Sequence, residues 1–571
     1  MITQNMENIL EKRWQIANRL TAEAGRSLAG YPALLQQVLF NRGIRTVEES
    51  KRFLAALPPE NNDPFKIKGM EAAVDRLSSA IKNGEPIVVY GDYDADGVTA
   101  TALLLNSLQS LGGQAQPYIP DRFEEGYGLN IGALQQLKEN GAAVVVSVDC
   151  GIRSLNEAAE AKRLGLDLII TDHHSPGPEM PDAFAVINTK QAGDEYLEKQ
   201  LAGVGTAFKL ACALEQRLGS GLQPAANTLL DLVALGTVAD MVPLTGENRW
   251  MVREGLGGLR KPTRQGVLSL IGVSGLKPQT VRAEDIGFLL GPRLNAAGRL
   301  ETALNALKLL MTKDVFEAGR LAQYLDSQNR ERQQLTREMT SSAEEIAAAQ
   351  TDALLITAIH EEYNPGVVGL VASRLVDKFY RPAIVGQRGP EFTRASCRSI
   401  PEFHITRALE TCADLFRNFG GHAAAAGFTV PNDKLPEALE RLQGLAQQQL
   451  GSLELRPVLV ADAELPLAEL KADILNQLEL IEPTGYGNPQ INLVSRDLQV
   501  RDARAVGDGK HLKLTVTDGR ITYDAIAFRQ GHWVQAMPKV VDLLYRFEAN
   551  EFNGRSRLQL NVRDLKPSGA K

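Results

Sequence analysis

Cysteine is scarce in this sequence, and its placement excludes two kinds of site. The 571 residues contain four cysteines, Cys150, Cys212, Cys397 and Cys412, and no two of them form a CxxC pair. A disulfide framework and a structural zinc site are therefore not expected, and the cysteine content favours a reducing cytosol.

Long apolar runs and a strong charge of one sign are also missing. No run approaches the roughly 20 apolar residues that a membrane span needs, and residues 1–8 lack the basic-then-apolar pattern of an export signal. The net charge is −7, so any affinity for nucleic acid must come from a local basic surface. The composition predicts an ordinary soluble, cytoplasmic globular protein.

The sequence does contain a dense acidic turn. Three carboxylates, Asp92, Asp94 and Asp96, alternate directly after the apolar pattern of residues 87–90. Carboxylates this close repel one another unless a cation lies among them. An EF-hand calcium loop is excluded because Leu103 occupies the position of its bidentate glutamate. A metal-dependent site is the favoured interpretation, and a solvated acidic turn is the alternative.

Further acids and histidines follow other apolar segments. Asp149 follows the strand pattern 144–148, Asp172-His173-His174 follows the strand pattern 168–171, and Asp240 comes after the apolar run 229–235. We interpret each as the end of a strand in a parallel, helix-covered sheet, whose strand ends converge at one edge. Each one alone would more often be a helix cap or a structural histidine, but four together favour one shared site.

The chemistry of this residue set favours oxygen-preferring metal ions. Carboxylates with one or two imidazoles suit Mn²⁺ or Mg²⁺ better than zinc or copper. The predicted metal ligands are Asp92, Asp94, Asp96, Asp149, His173 and Asp240, and the predicted catalytic residues are Asp94, Asp96, Asp149, His173, His174 and Asp240. These ligands suffice for two ions bridged by Asp149, which predicts phosphate-ester hydrolysis. No nucleophile elbow or Walker-type loop competes with this prediction.

The order of predicted elements divides the chain into five segments. Residues 1–65 carry short helical patterns, 66–302 alternate strands and helices, and 303–350 form a long, partly exposed connector helix. A second, smaller α/β segment covers 351–454. Short strands with Asp-Gly turns in 455–571 predict a β-barrel.

Four motifs together resemble those of the DHH phosphoesterases. They are DYDADG at residues 92–97, VDCG at 148–151, DHH at 172–174 and GTVAD at 236–240. GPRLNAAGR at 291–299 extends the match, and GGH at 420–422 resembles the signature of the accessory DHHA1 domain. The resemblance covers roughly residues 45–565. It implies a DHH domain at 66–302, a DHHA1-type domain at 351–454 and an OB-like nucleic-acid-binding domain at 455–571.

Within this family, the chain is similar to single-strand-specific DNA exonucleases. The resemblance implies 5′-to-3′ hydrolysis of single-stranded DNA to 5′-mononucleotides, in DNA repair and recombination. It further implies a monomer whose partners are single-stranded DNA, a single-strand-binding protein and a helicase. The alternatives are another DHH phosphoesterase, such as an oligoribonuclease or a cyclic-dinucleotide hydrolase, and a non-catalytic replication scaffold. The additional C-terminal barrel disfavours the first, and the complete set of acids disfavours the second.

An exonuclease that starts from a 5′ end needs cations for the terminal phosphate and flat groups for the first bases. The resemblance implies the following DNA-binding residues: Arg122, Tyr127, Arg293, Arg299, Ser396, Arg398 and His422. Arg122, Ser396 and Arg398 are expected to hold the terminal phosphate, and Tyr127 is expected to stack on a base. For Arg122 and Tyr127, a surface Arg–Glu pair and a packed ring are the alternatives.

The sequence departs from the family pattern at three positions. Tyr90 stands where related phosphoesterases often have histidine, so Asp92 or water is the expected substitute in the ligand set of one ion. Cys397 replaces a usual glycine, and Asn364 replaces a common histidine. None of these changes removes a carboxylate from the predicted cluster.

Overall fold

The computed structural model describes residues 11–122, 125–219, 225–552 and 555–569. Residues 1–10, which include the segment examined for an export signal, lie outside them. The chain forms two compact units: the first unit comprises Glu48–Arg330 and Ile481–Gln490, and the second unit comprises Met1–Val47, Glu331–Leu480 and Ile491–Lys571. None of the helices in the described residues has the length and hydrophobicity that a membrane crossing requires.

The N-terminal region contains a strand that the sequence patterns did not predict. Its elements are β1 (Arg13–Ile16), α1 (Ala22–Ser27), α2 (Ala33–Asn41) and α3 (Val47–Ala55). The strand β1 pairs in parallel with Val458–Ala461. Its partner lies far away in the chain, so local sequence carries little signal for it.

A five-stranded parallel sheet forms the centre of the first unit. Its elements are α4 (Met70–Asn83), β2 (Ile87–Gly91), α5 (Ala95–Ser110), β3 (Ala115–Tyr118), α6 (Ile131–Glu139), β4 (Val144–Val148), α7 (Leu155–Arg163), β5 (Asp167–Thr171) and β6 (Ala185–Ile187). The strand order is β3-β2-β4-β5-β6, and every neighbouring pair is parallel. Strands β2 and β4 are buried along their whole length, as their Ile/Val runs predict. The predicted parallel α/β fold is confirmed.

The rest of the first unit is helical. The helices are α8 (Gly203–Leu218), α9 (Leu230–Ala239), α10 (Gly246–Arg260), α11 (Gln265–Val273), α12 (Ala283–Asp285), α13 (Gly291–Leu300), α14 (Leu304–Met311) and α15 (Val315–Ala348), the last of which continues past Arg330 into the second unit. The apolar run 229–235 is therefore not a strand, and our strand-end interpretation of Asp240 was wrong: Asp240 follows the last residue of α9. Helix α9 is buried on nearly all sides, and periodicity cannot distinguish a short buried helix from a buried strand.

The predicted connector at 303–350 consists of two helices. α14 ends at Met311 and α15 begins at Val315. Between them, the Asp314 carboxylate accepts a hydrogen bond from the Glu317 amide at 2.7 Å, which caps the N-terminus of α15. A polar capping residue therefore interrupts what the sequence pattern suggested was one helix.

A mixed five-stranded sheet forms part of the second unit. Its elements are β7 (Ile356–His360), α16 (Val368–Phe379), β8 (Ala383–Arg388), β9 (Phe392–Arg398), α17 (Ile405–Glu410), β10 (Asn418–Gly421), β11 (Ala425–Pro431) and α18 (Leu435–Leu450). The strand order is β10-β11-β9-β8-β7, in which only β7 and β8 are parallel. Two of these strands, β7 and β8, had a clear sequence signal.

A closed β-barrel forms the C-terminal part of the second unit. The elements of this part of the chain are β12 (Val458–Ala461), which pairs with β1 outside the barrel, then β13 (Ala463–Glu464), α19 (Ala472–Glu479), β14 (Leu493–Val506), β15 (His511–Thr517), β16 (Thr522–Ala527), β17 (Val540–Phe552) and β18 (Arg555–Pro567). Strands pair in the order β14-β15-β16-β18-β17, and β17 returns to β14. At the β14–β15 turn, Asp508 and Gly509 have φ of 54° and 80°, the left-handed backbone of tight hairpins. The predicted barrel is confirmed.

Candidate active site

The acidic turn joins the end of β2 to the start of α5. Asp94 caps α5, and its Oδ1 accepts hydrogen bonds from the amides of Asp96 (2.8 Å) and Gly97 (3.0 Å). The two carboxylate oxygens of Asp96 accept the amides of Gly203 (2.7 Å) and Val204 (2.9 Å), at the N-terminus of α8. Two helix N-termini therefore stabilise negative charge at this turn.

Asp149 follows β4 with an unusual backbone conformation. Its φ is 64°, a left-handed value that is uncommon for any residue other than glycine and often marks a functional position. The residue is 2% exposed. Its amide donates to the carbonyl of Thr171, the last residue of the neighbouring strand β5. The ends of β4 and β5 therefore hold Asp149 beside the DHH motif.

Asp172 organises the histidine pair that follows β5. Its Oδ1 accepts the amides of His173 (2.7 Å) and His174 (3.0 Å) and lies 2.8 Å from His174 Nδ1, and its Oδ2 accepts the amide of Ile152 at 2.9 Å. A carboxylate bonded to a histidine ring in this way orients the imidazole. Asp172 belongs to the DHH motif, but no separate role was predicted for it.

The structure brings all the predicted metal ligands together. Three groups have ligand atoms within 4.8 Å of one another: Asp92, Asp94 and Asp149; Asp96, His173 and Asp240; and Asp149, His173 and His174. His173 belongs to two of these groups: its Nε2 lies 3.1 Å from Asp149 Oδ1 in one and 3.5 Å from Asp240 Oδ2 in the other. Asp240 reaches the cluster from the end of a helix, and His174, predicted as catalytic only, also belongs to a potential ligand group.

Several buried atoms of this cluster lack partners. Among the described residues, Asp92 Oδ1, Asp149 Oδ1 and both ring nitrogens of His173 are buried without a hydrogen bond. Such atoms are costly and call for an explanation. A bound divalent cation would satisfy the carboxylate oxygens and a histidine nitrogen, so the donor set fits Mn²⁺ or Mg²⁺.

The electrostatics of the cluster lead to the same conclusion. Burial, followed by the charge of neighbouring acids, raises the pKa of Asp96 to about 7 and holds the pKa values of Asp92, Asp149 and Asp240 well above their usual range. Burial also lowers the pKa of His173 to about 3, so its imidazole is neutral and able to bind a metal. A cation at the cluster would remove the repulsion among the carboxylates.

Tyr90, which stands at the position of the common histidine, serves another purpose. Its buried hydroxyl donates to the Gly128 carbonyl at 3.0 Å and accepts from the Asn130 amide group at 3.2 Å. The phenol therefore braces the loop that carries Tyr127. Asp92 lies in the ligand group with Asp94 and Asp149, which favours Asp92 as the substitute ligand.

Arg122 and Tyr127 are linked to the acidic turn through Tyr93. The Arg122 guanidinium carbon lies 5.0 Å from the centre of the Tyr93 ring, and the Tyr93 and Tyr127 rings meet edge to face at 6.3 Å. Tyr127 also meets the His174 ring at 6.2 Å and is 56% exposed. Among the described residues, Arg122 forms no ion pair. The packing places the exposed Tyr127 ring beside the histidine pair.

The motif at 291–299 forms helix α13, which supports the acidic turn. Asn295 Oδ1 accepts the Ala95 amide at 2.7 Å, and a β-carbon at Gly298 would lie 2.5 Å from the Tyr93 carbonyl oxygen. Arg293 is engaged by Asp326 at 2.9 Å and by the Leu289 carbonyl at 2.8 Å, so a phosphate would compete with these partners.

Burial raises the pKa of the Tyr93 phenol to about 12, and the positive charges of Arg122 and Arg299 oppose this rise. The phosphate-binding roles of Arg293 and Arg299 stay predictions. Asn295 was missed as a functional residue because its motif was noted for its arginines.

The remaining predicted DNA-binding residues belong to the second unit. On β9, Arg398 Nη1 donates to Ser396 Oγ at 3.0 Å and to the Cys397 carbonyl at 2.8 Å. A β-carbon at Gly369, in the first turn of α16, would lie 3.0 Å from both Arg398 Nη2 and Ser396 Oγ. A half-buried arginine, a hydroxyl and a helix N-terminus are groups that favour binding of an anion. His422 is exposed at the β10–β11 connection.

Comparisons with known proteins match every part of this architecture. Family models match residues 86–237 (DHH family, N-terminal domain), 351–448 (DHHA1 domain) and 461–564 (RecJ OB domain). The single-stranded-DNA-specific exonuclease RecJ of Bacillus subtilis is 41% identical over 93% of this chain and 67% of its own length. The protein of the same name from Salmonella typhimurium is 36% identical over 98% of this chain and 100% of its own length.

A solved structure extends the comparison to three dimensions. The crystal structure of RecJ in complex with Mn²⁺ from Thermus thermophilus superposes with a TM-score of 0.85 at 31% identity, covering 98% of this chain and 80% of that chain. The overall fold and the order of the three matched domains are therefore shared.

Proposed function

Since this chain belongs to the RecJ family of single-stranded-DNA-specific exonucleases, we propose that it hydrolyses single-stranded DNA from the 5′ end and releases 5′-mononucleotides. The observation that carries the proposal is the buried cluster around Asp149 and His173, whose unpartnered atoms fit divalent cations. The other DHH phosphoesterase activities and the scaffold role are not favoured, because the chain matches the RecJ OB domain and retains every carboxylate.

Two sets of residues would hold the metal ions. Asp92, Asp94 and Asp149 form one set, and Asp96, His173 and Asp240 form the other. Bound Mn²⁺ or Mg²⁺ supplies charge stabilisation and lowers the pKa of a water molecule. The protein itself supplies the geometry, since two helix N-termini and the strand ends orient the carboxylates before substrate arrives.

His174 would act on the reacting phosphate. Burial alone would lower its pKa, but the hydrogen bond to Asp172 and the nearby carboxylates raise it. The imidazole can therefore carry a proton and donate to a phosphate oxygen. Its partner Asp172 keeps the ring in one orientation.

Separate residues would recognise the DNA. Arg398 and Ser396 form an arrangement suited to the 5′-terminal phosphate, and Arg122 is proposed as a further phosphate contact. Tyr127 presents an exposed ring for a base. Arg293, Arg299 and His422 would contact neighbouring phosphates. These assignments rest on the motif resemblance and on the local contacts described above.

The C-terminal barrel would also bind the strand. On its outer face, Arg504 pairs directly with Lys513 across β14 and β15, and like charges opposite each other are unfavourable without an anion. Neither forms an ion pair within the described residues. Beside them, the His511 and Phe528 rings meet at 5.3 Å, and Phe528 is 54% exposed. Phosphate and base contacts are thus available on one surface.

The domain limits and the cellular context complete the proposal. The segments 1–65, 66–302, 303–350, 351–454 and 455–571 are proposed as the N-terminal segment, DHH domain, connector, DHHA1-type domain and OB-like domain. The protein would act as a monomer in the cytoplasm, together with a single-strand-binding protein and a helicase, in repair and recombination. The family-model matches lie within the three corresponding segments.

One assay tests the activity. Purified protein with Mn²⁺ or Mg²⁺ is incubated with DNA strands labelled at the 5′ or the 3′ end. Early release of a labelled mononucleotide from the 5′-labelled strand, with a slowly shortening 3′-labelled strand, is the expected result. Early release from the 3′ end, or products longer than mononucleotides, would contradict the proposal.

A further inference from the structure

Two side chains just after β6 hold the backbone of the histidine pair. The Lys190 ammonium donates to the His173 carbonyl at 2.6 Å, and the Asn188 amide group donates to the His174 carbonyl at 2.9 Å. Asn188 is fully buried, and its Oδ1 accepts the Lys190 amide at 2.8 Å. Residues 188–190 thus form a compact clamp on two consecutive peptide groups.

The clamp acts where the sheet can no longer hold the chain. The β5–β6 ladder ends at the pair Thr171–Ile187, and the Asp172 amide still donates to the Ile187 carbonyl at 3.1 Å. Beyond this point, side chains replace the ladder. Asp172 accepts hydrogen bonds from the amides of His173 and His174. Lys190 donates to the His173 carbonyl, and Asn188 donates to the His174 carbonyl. The backbone amides and carbonyls of both histidines are therefore held by hydrogen bonds, which fixes the direction in which the two imidazoles leave the backbone.

The charge of Lys190 makes its position informative. Its ammonium donates to the carbonyl of His173, which belongs to the potential ligand groups, so the cation lies close to the acidic cluster. A fixed positive charge there repels a divalent cation. A lysine that acted only through its charge would therefore weaken metal binding, whereas a lysine that positions a ligand would strengthen it.

We propose that Lys190 is a positioning residue, which together with Asn188 fixes the His173–His174 backbone so that His173 faces both Asp149 and Asp240. The inference rests on the proposed metal-dependent function. It concerns a residue outside every recognised motif, and its role is to hold a ligand, not to contact DNA.

The decisive measurement is the affinity of the protein for Mn²⁺ in the absence of DNA. It can be measured by titration calorimetry or from the electron paramagnetic resonance signal of free Mn²⁺. Lys190→Met should weaken Mn²⁺ binding by roughly 10–100-fold, as expected for loss of a group that orients a ligand. Lys190→Arg keeps a donor for the His173 carbonyl and should stay near the parent. Lys68→Met is the matched control, because the exposed Lys68 donates to the Ala192 carbonyl at 3.0 Å, and it should leave Mn²⁺ binding unchanged.

Each alternative has its own signature. Unchanged or tighter Mn²⁺ binding by Lys190→Met would overturn the inference and assign Lys190 an electrostatic role only. A raised KM for DNA with unchanged Mn²⁺ affinity would overturn it in favour of a DNA contact. If Lys190→Met does not fold, Lys190→Gln, whose amide nitrogen lies one bond nearer the backbone and does not reach the His173 carbonyl, carries the same prediction. If the parent itself binds no Mn²⁺, the proposed function fails.

Discussion

Gly203 packs its Cα directly against the side chain of Asp149. A β-carbon at Gly203 would lie 2.5 Å from Asp149 Cβ and 2.7 Å from its Oδ1. The same glycine donates its amide to Asp96 at 2.7 Å. One backbone position therefore touches carboxylates from two different strand ends, which makes the start of α8 part of the metal cluster.

Gly203→Ala should disable the cluster through this contact. The added methyl group must displace Asp149 or the start of α8, because real β-carbons do not approach other atoms to 2.5 Å. We expect weaker Mn²⁺ binding and at least a tenfold loss of turnover. Gly257→Ala in α10, where a β-carbon would meet nothing within 4 Å, should retain both properties. Equal turnover of the two variants would show that α8 adjusts without cost.

Asp149→Asn should abolish turnover while the fold persists. Asparagine tolerates the left-handed backbone that this position requires, so the change removes charge with little strain. Because electrostatic stabilisation by metal ions is a large catalytic contribution, we expect a loss of several orders of magnitude at saturating Mn²⁺. The control is Asp182→Asn, since Asp182 forms an exposed ion pair with Lys162. Activity within tenfold of the parent would remove Asp149 from the site.

The metal-free protein should lose stability as the pH rises. Burial and the neighbouring Asp94 raise the pKa of Asp96 from 3.8 to about 7, so the folded state binds more protons than the unfolded state between these values. The contribution of the Asp96 carboxyl to the free energy of unfolding therefore falls as the pH rises from 3.8 to about 7. Melting temperatures in EDTA should decrease over this range, and Mn²⁺ should raise them most near pH 7 and above.

The carboxyl of Asp96 itself can be tested in the same melting experiment. Asp96→Asn has no charge to desolvate, so its melting temperature in EDTA should vary less with pH than that of the parent. Parallel curves for the two proteins would mean that Asp96 does not carry the pH dependence.

Arg398→Ala should impair recognition of the 5′ phosphate. Each charge-assisted hydrogen bond from the guanidinium is worth roughly 1.5–3 kcal/mol, so the preference for a phosphorylated end should largely disappear while Mn²⁺ binding stays unchanged. Arg394→Ala, on the same strand but exposed, should keep the preference. Cleavage rates on substrates with and without a 5′ phosphate measure this preference. If the Arg398 variant and the parent prefer the phosphorylated end equally, Arg398 does not recognise the 5′ phosphate.

Blunt duplex should be a poor substrate. Stacking on Tyr127 requires an unpaired base, and a paired terminal base is held in the duplex. Rates on a blunt duplex and on its separated strand, at the same Mn²⁺ concentration, measure the difference. Cleavage of the duplex as fast as the single strand would contradict the role of Tyr127.

The chain by itself determined the parallel sheet, the β-barrel and the membership of the acidic cluster. The short Val-rich runs of β2 and β4 form buried strands, and the carboxyl ends of parallel strands lie at the same edge of a sheet, so Asp92, Asp149 and His173 could be grouped from the sequence. Motif order then identified the family. These inferences depend on local pattern and on a general property of sheets.

Only the tertiary structure decided the features that depend on distant contacts. Asp240 joins the cluster from a buried helix, because packing and not periodicity selects helix over strand in a short apolar run. β1 exists because it pairs with a strand more than 400 residues away. The clamp by Asn188 and Lys190, the contact of Gly203 with Asp149 and the bond from Ala95 to Asn295 have no sequence signature. Each depends on where two backbones meet, which the order of residues does not reveal.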